Sequence, residues 1–428
     1  MPEPPPPDSV AAPGISRPYA YYALALLTVT NLVNYLERNA IFALFEPIKR
    51  DLSLTDAHLG WLGSAYVLVF SLASVPAGIA GDLGSRRVVI AAGVILWSVA
   101  TSLSGLVEGF GSLLFARAVI GLGGAAAATA GASLVADHFP GRRRSVAMGL
   151  FMAGLAVGGV LGILVAGQLA HHYGWRVAFF TLGLPGFLIA ALVVRLKDPT
   201  RPTPPSRQGP DALFATMREL EGTARRILAT PTLVVVFVGG ALISFGMNGL
   251  VGWAPTFLAR ERGLSIAQST LLLGSYGLIA GTAGTVAGGF VADALRVRWQ
   301  SGRLLASGLG FIIGVPLAIW LLFIRDMTWF VPVFSTAFFF LTWYNGPLTA
   351  VIFDVTPSRI ATTVVGAFLM FIHLAGDAIA FPLVGALSDS FGLQRAILLL
   401  PVASLAGALI VLLAVRWIGA DTIRAQAA

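Results

Sequence analysis

The chain has no cysteine in its 428 residues. That excludes disulfides, thiolate metal ligands and cysteine nucleophiles. Charge is scarce as well: only 11% of the residues are charged, too few for a water-soluble domain of this length. The only lysines are Lys49 and Lys197, and neither follows a G-x-x-x-x-G, so there is no P-loop and the nucleotide-driven pump it would serve is disfavoured. No H-E-x-x-H occurs, and Glu37 and Asp377 do not form a recognisable carboxylate dyad, so neither a metal nor a cofactor is expected and the chain does not read as an enzyme. The net charge of +8 does not point to nucleic acid, because the basic residues sit in short clusters between long apolar runs, as in membrane loops.

What is abundant is apolar sequence. The chain is 57% hydrophobic, and its mean hydropathy is +0.83. Apolar segments recur at about 21–45, 58–82, 87–107, 111–137, 145–170 and 176–195, then at 231–258, 267–292, 303–324, 329–354, 361–387 and 393–418. Each is long enough to cross a bilayer at 1.5 Å per residue. The expected fold is therefore an all-α membrane protein of twelve transmembrane helices in two six-helix halves. Residues 1–18 are proline-rich, lack a signal-peptide pattern and are expected to form a disordered tail. The halves are expected at 19–195 and 230–420, with a cytoplasmic linker at 196–229 and a short tail at 421–428. The linker opens on KDPTRPTPPSRQGP and continues into a charged stretch expected to lie as a helix on the membrane surface.

Counted by alternate loops, nineteen Lys and Arg residues fall on the side of the N-terminus and seven on the other, with Arg38 and Arg117 inside spans. By the positive-inside rule both termini are expected in the cytoplasm. The halves also repeat. Gly78, Asp82, Arg86 and Arg87 correspond to Gly289, Asp293, Arg296 and Arg298; Asp137 and Arg142 correspond to Asp354 and Arg359. The offsets lie between 210 and 217. Such a parallel repeat predicts a binding site at the midplane and alternating access by rocking of the halves.

The first span carries the costliest residues. Glu37 and Arg38 stand side by side within it, each at roughly 2.5–3.5 kcal/mol if placed at the centre of a helix in lipid. Asn31, Asn34 and Arg38 share one helical face, with Tyr35 and Glu37 beside it. Glu37 lies about 12 Å below the outer end of its span and Arg117 about 9 Å below the start of the fourth, so the two can meet. A carboxylate beside two guanidinium groups that is also buried can load and release a proton as its surroundings alternate; the bland alternative is a permanent ion pair. His373 and Asp377, one turn apart on the eleventh span, form either a second proton or headgroup site or a structural pair. Asn248, Tyr344 and Asn345 are candidate cavity residues. The Gly78/Asp82 and Gly289/Asp293 pieces, with their arginines, read as a cytoplasmic gate that latches one conformation, the alternative being a purely structural loop staple. An aspartate at a helix C-terminus is disfavoured by the macrodipole and needs a cationic partner.

The Gly-x-x-x-Asp pieces resemble the loop motif of the major facilitator superfamily. NYLER at 34–38, RAVIGLGGA at 117–125, ADHFPGRRR at 136–144, WAPTFLARERGL at 253–264 and HLAGDAIAFPLVGALSD at 373–389 together resemble its spinster family, in a bacterial version. The resemblance implies carriage of lipid-like amphiphiles such as sphingolipids or lysophospholipids. It also implies proton coupling and a cavity lined by the first, fourth, seventh and tenth spans; the residues read above as candidates for the coupling are Glu37, Arg38, Arg117 and Asp377. Two departures stand out. Family members usually have Asp at the position of Glu37, and they commonly carry Glu seven residues after the fourth-span arginine, where this chain has Gly124. If that Glu binds a proton, coupling here rests on Glu37 with Asp377 or is altered. The rival cargo is a small organic anion, which the arginines would clamp equally well; a non-transporting membrane sensor is the rival class. The expected partners are an amphiphilic or small anionic substrate, protons and membrane lipids. A monomer in the bacterial inner membrane is expected.

Overall fold

A computed structural model describes residues 15–139, 143–199 and 221–427, apart from the side chains of residues 82, 83 and 145. Helices account for nearly all of them, and there is no strand among the described residues. The first helix, α1 (Arg17–Leu52), runs unbroken for 36 residues through Pro47. It is followed by α2 (Asp56–Leu83), α3 (Arg86–Ser104), α4 (Phe110–His138), α5 (Arg144–Tyr173) and α6 (Trp175–Val193). Then come α7 (Pro231–Glu261), α8 (Ile266–Arg298), α9 (Gly302–Leu321), α10 (Met327–Asp354), α11 (Ala361–Phe391) and α12 (Leu393–Arg416). A short α13 (Ile418–Gln426) closes the chain. Eleven of the first twelve helices are long and apolar enough to cross a membrane; the exception is α1, which carries Glu37 and Arg38.

Two spans depart from regular helix. In α10 the helix stops at Leu341 and resumes at Asn345, so Thr342, Trp343 and Tyr344 form a turn inside it. In α11, His373–Asp377 is one π-helical turn. The surface helix expected in the linker is described only at 221–229; the remainder of that expectation, like Arg142, lies outside the described residues.

The chain divides into two compact units, Met1–Thr200 with Pro255–Gly274, and Arg201–Ala254 with Ser275–Ala428. In the first, α1 packs along α5, α2 along α4, and α3 against both α4 and α6. The α1–α5 seam is close because Gly154, Gly158 and Gly162 recur every four residues on one face of α5. A methyl group at Gly158 would stand 2.1 Å from the Leu32 carbonyl oxygen, and one at Gly162 would stand 2.2 Å from that of Leu36. Only hydrogen fits there, so α5 holds α1 in a fixed rotation that turns Glu37 away from α5. At the C-terminal end of α1 the 255–274 segment joins this unit through Arg260. Its Nε lies 2.7 Å from Glu46 and its two terminal nitrogens 2.7 and 2.9 Å from Asp56, which Lys49 also contacts at 2.5 Å.

The core of the second unit is built from Leu233, Val236, Phe311, Val315, Leu341, Val351, Val364, Phe368 and Val411 among others. Here α9 packs against α10 and α12.

Candidate functional site

Glu37 and Arg117 are both 1% exposed and Arg38 is 8% exposed. Arg117 does reach α1 from α4, as its depth predicts, but it addresses the main chain. Its Nη2 donates to the Arg38 carbonyl at 2.9 Å, its Nη1 to the Glu37 carbonyl at 3.4 Å, and its Nε to the Leu62 carbonyl on α2 at 3.2 Å. Carbonyl oxygens in the interior of a helix keep a second lone pair, so one guanidinium ties three helices together. The expected direct pairing of the Glu37 carboxylate with Arg117 gives way to a different partner. The carboxylate turns to α3, where the Thr101 hydroxyl donates to Oε2 at 2.5 Å.

The two arginines share an aromatic ring. The Arg38 guanidinium lies 5.3 Å and that of Arg117 5.4 Å from the centre of the Tyr66 ring, and Arg38 also lies 5.1 Å from that of Tyr35. The ring face is negative, so Tyr66 offsets part of the repulsion between two buried cations. Its hydroxyl donates to Asn34 Oδ1 at 3.1 Å, and Asn31 donates to the Phe151 carbonyl at 2.9 Å. Asn31 and Asn34 line a narrow crevice with Leu27, Thr30, Trp97 and Phe151. At Gly124 a methyl group would stand 2.7 Å from Asn34 Nδ2 and 2.8 Å from the Tyr66 hydroxyl. The space a longer residue would need there is already occupied by those two polar groups.

In the second unit Asp377 is fully buried. It accepts from Asn248 at 3.1 Å, from the Ser244 hydroxyl, and pairs with His373 Nδ1 at 2.6 Å. The π-helical turn brings His373 and Asp377 together, and Gly376 lets α11 approach α7 there: a methyl group at Gly376 would stand 2.6 Å from the Ala241 carbonyl oxygen. Tyr344 packs on Phe311 at 5.4 Å. Asn345 is exposed and donates to Thr285 at 3.3 Å.

Of the expected gate residues, Arg86 and Asp137 fall in one charge cluster in the first unit, and Asp293 and Arg296 in another in the second. Arg86 is buried and bridges Asp137 and Asp198, to the latter at 2.6 and 2.9 Å. Arg87 donates to the Leu196 carbonyl at 3.1 Å. In the second unit the central cation is Arg303, which lies 2.5 Å from Asp354 and 3.5 Å from Asp293, while Arg296 is 3.8 Å from Asp354. Gly78 and Gly289 face open space, and the side chain of Asp82 lies outside the described residues. Sequence reasoning missed Thr101, Tyr66, Ser244, Asp198 and Arg303. Of these only Arg303 carried a signal, since it stands 217 residues after Arg86, within the offset range of the repeat.

Eleven long apolar helices, together with an α1 whose ionisable groups are buried near its middle, define an integral membrane protein of the carrier type. The family model of the Major Facilitator Superfamily matches residues 27–377, and the chain belongs to that superfamily, as a transporter. It is 28% identical over 392 residues to an MFS-type efflux pump of Mycolicibacterium smegmatis, covering 89% of each chain. It is 24% identical to the probable galactarate/D-glucarate transporter GudP of Bacillus subtilis, covering 86% of this chain and 85% of that one. It is 25% identical to the sphingosine-1-phosphate transporter SPNS2 of Mus musculus, covering 85% and 69%. Among solved structures, a bacterial homologue of the human lysosomal transporter spinster, in an inward-facing and occupied conformation, superposes with a TM-score of 0.83 at 24% identity, covering 95% of this chain and 99% of that one. The spinster resemblance read from the motifs therefore has its counterpart in both sequence and fold.

Proposed function

We propose that the chain is a proton-coupled secondary carrier of an amphiphile with an anionic head, working by alternating access between its two six-helix halves. The observation that carries this reading is Glu37, a carboxylate buried at mid-span with two guanidinium groups in its neighbourhood. Such a residue is expensive in a membrane and is retained where protons or solutes pass. Arg38 and Arg117 supply the positive field in which a phosphate or carboxylate head would sit, and Asn31, Asn34 and Tyr35 its polar edge. Asp377 with His373 is a second candidate proton site, with Asn248, Tyr344 and Asn345 lining the cavity. The Arg86–Asp137 and Arg303–Asp354 clusters, with Gly78, Asp82, Arg87, Gly289, Asp293 and Arg296, serve as the cytoplasmic gate. Both termini lie in the cytoplasm, and the carrier works as a monomer in the bacterial inner membrane. Similarity to a sphingosine-1-phosphate transporter supports the amphiphile.

Similarity to a galactarate/D-glucarate transporter favours a second reading, in which the same arginines clamp a small sugar acid. Thermal shift of the purified protein with a lysophospholipid or a sphingoid phosphate, set against glucarate and simple carboxylates, separates the two. Stabilisation by the lipids alone, lost in Arg117→Ala, supports the amphiphile; stabilisation by the small acids alone overturns it. Flux in proteoliposomes across a pH gradient tests coupling, and an unchanged pH dependence in Glu37→Gln would sink the proton role. Absence of flux with every ligand that binds would favour a sensor.

A further inference from the structure

The surroundings of Glu37 on α3 have a pattern of their own. Thr101 donates to Oε2. Four residues earlier, and so on the same face one turn away, Trp97 lies within reach of the same carboxylate, and its indole N–H is fully buried without a well-formed hydrogen bond among the described residues. Glu37 Oε1 is likewise buried and without a partner. A buried donor and acceptor this close that do not form a good bond are rare in a protein interior, and a fully unsatisfied one costs about 1–3 kcal/mol. A carboxylate has two oxygens, and α3 presents two donors at one-turn spacing, one engaged and one poised.

The other elements around Glu37 supply charge or bulk but no second donor of this kind. On α1 the neighbouring ionisable group is Arg38, on α2 it is Tyr66, and on α4 it is Arg117, whose hydrogen bonds go to carbonyls. Helix α5 brings glycines to α1, and α6 brings Gly183 and Gly186 against Ser102 and Ser98 of α3. This close α3–α6 packing fixes the rotation of α3 that aims Trp97 and Thr101 at α1.

We propose that Trp97 and Thr101 are positioning residues of the Glu37 site, forming a two-donor receptor on α3 that grips the ionised carboxylate and loosens on one prong when a proton arrives. Both donors favour the charged form, because an N–H and an O–H donate to a carboxylate and only the protonated acid has a hydrogen of its own to place. Proton arrival at Oε1 removes its charge and makes it a weaker acceptor for the Trp97 N–H, so the hold of α3 on that oxygen loosens. Protonation is thereby converted into a change in how α1 is held by α3. The inference rests on Glu37 being the proton-responsive group.

The test needs no substrate. The purified protein is titrated with acid and base while the carboxylic C=O stretch is followed by infrared difference spectroscopy, and the band missing in Glu37→Gln is assigned to Glu37. In Thr101→Val and in Trp97→Phe, each lacking one donor, that band is expected to appear at a pH higher by about one unit, whereas Thr101→Ser titrates as the parent does. An unmoved midpoint in both variants, with the band still lost in Glu37→Gln, overturns the receptor and leaves the proton role of Glu37 standing. If Glu37→Gln loses no band, the proton role falls and the receptor with it.

Discussion

Arg303 lies 2.5 Å from Asp354, 51 residues further along the chain, and Arg86 meets Asp137 across the same separation of 51 residues. The internal repeat is thus written in the structure as one ion pair made twice, each joining the start of a third helix to the end of a fourth within its own unit. Sequence alignment of the halves paired the first arginines with Arg296 and Arg298; the geometry gives the role to Arg303. The copies are not equal, because Arg86 also holds Asp198 and is 5% exposed, whereas the Arg303 side chain is 23% exposed.

That inequality predicts unequal costs. Arg86→Met leaves Asp137 and Asp198 facing each other in a half-buried site and should destabilise the protein by about 3 kcal/mol. Arg303→Met opens a better-hydrated pair and should cost about 1 kcal/mol. Unfolding of both variants in the same detergent ranks them, and equal losses would show that burial does not govern this pair.

Gly158→Ala should be poorly tolerated, because the new methyl would meet the Leu32 carbonyl at 2.1 Å and push α1 off α5. Overpacking of this kind costs about 1–3 kcal/mol. Gly149→Ala, on the same helix with open space around it, should leave the melting temperature unchanged or raise it slightly, since alanine is the better helix former. The contrast between the two is the measurement.

Ser244→Ala removes one of the donors to the buried carboxylate of Asp377. Hydrogen bonds to charged groups contribute about 1.5–3 kcal/mol, so a loss in that range is expected, with Ser244→Thr restoring most of it. Chemical denaturation of the two variants decides.

Asp326 caps α10 from the preceding loop, its Oδ1 accepting from Thr328 N at 2.8 Å. That backbone hydrogen bond holds its carboxyl below the usual 3.8. A carboxyl lowered on folding stabilises above its unfolded pKa and loses that contribution as pH falls through the folded one. Asp326→Ala should therefore lower the melting temperature near pH 7, and the difference from the parent should shrink below about pH 4. A difference that stays constant across that range would mean the cap does not depend on charge.

The elements the sequence made legible are those whose signal is a run or a repeat. Twelve apolar stretches marked the spans, and the expense of Glu37, Arg38 and Arg117 marked a common depth. What stayed hidden was the choice of partner. Arg117 could satisfy its donors on a carboxylate or on carbonyls, and rotation of α1 by the α5 glycines decides between them. Thr101 and Ser244 look like neutral members of apolar runs, and only the neighbouring helix reveals that their hydroxyls face a carboxylate. The turn at Thr342–Tyr344 has no glycine or proline within it to announce it. Asp198 read as linker, although its carboxylate is held by Arg86 at the start of α3.

The unbroken first helix has a consequence for how the protein is made. Helix α1, which carries Glu37 and Arg38, is the one of the twelve that does not qualify as a free-standing apolar span, and each charge adds roughly 2.5–3.5 kcal/mol to its transfer from the translocon into lipid. The groups that relieve that cost, Tyr66, Thr101 and Arg117, emerge from the ribosome 28 to 80 residues after Arg38 and Glu37 do. The N-terminal span should therefore wait at the translocon until α2 to α4 have been synthesised and enter the bilayer in their company, which makes biogenesis of this carrier a cooperative event of its first four helices.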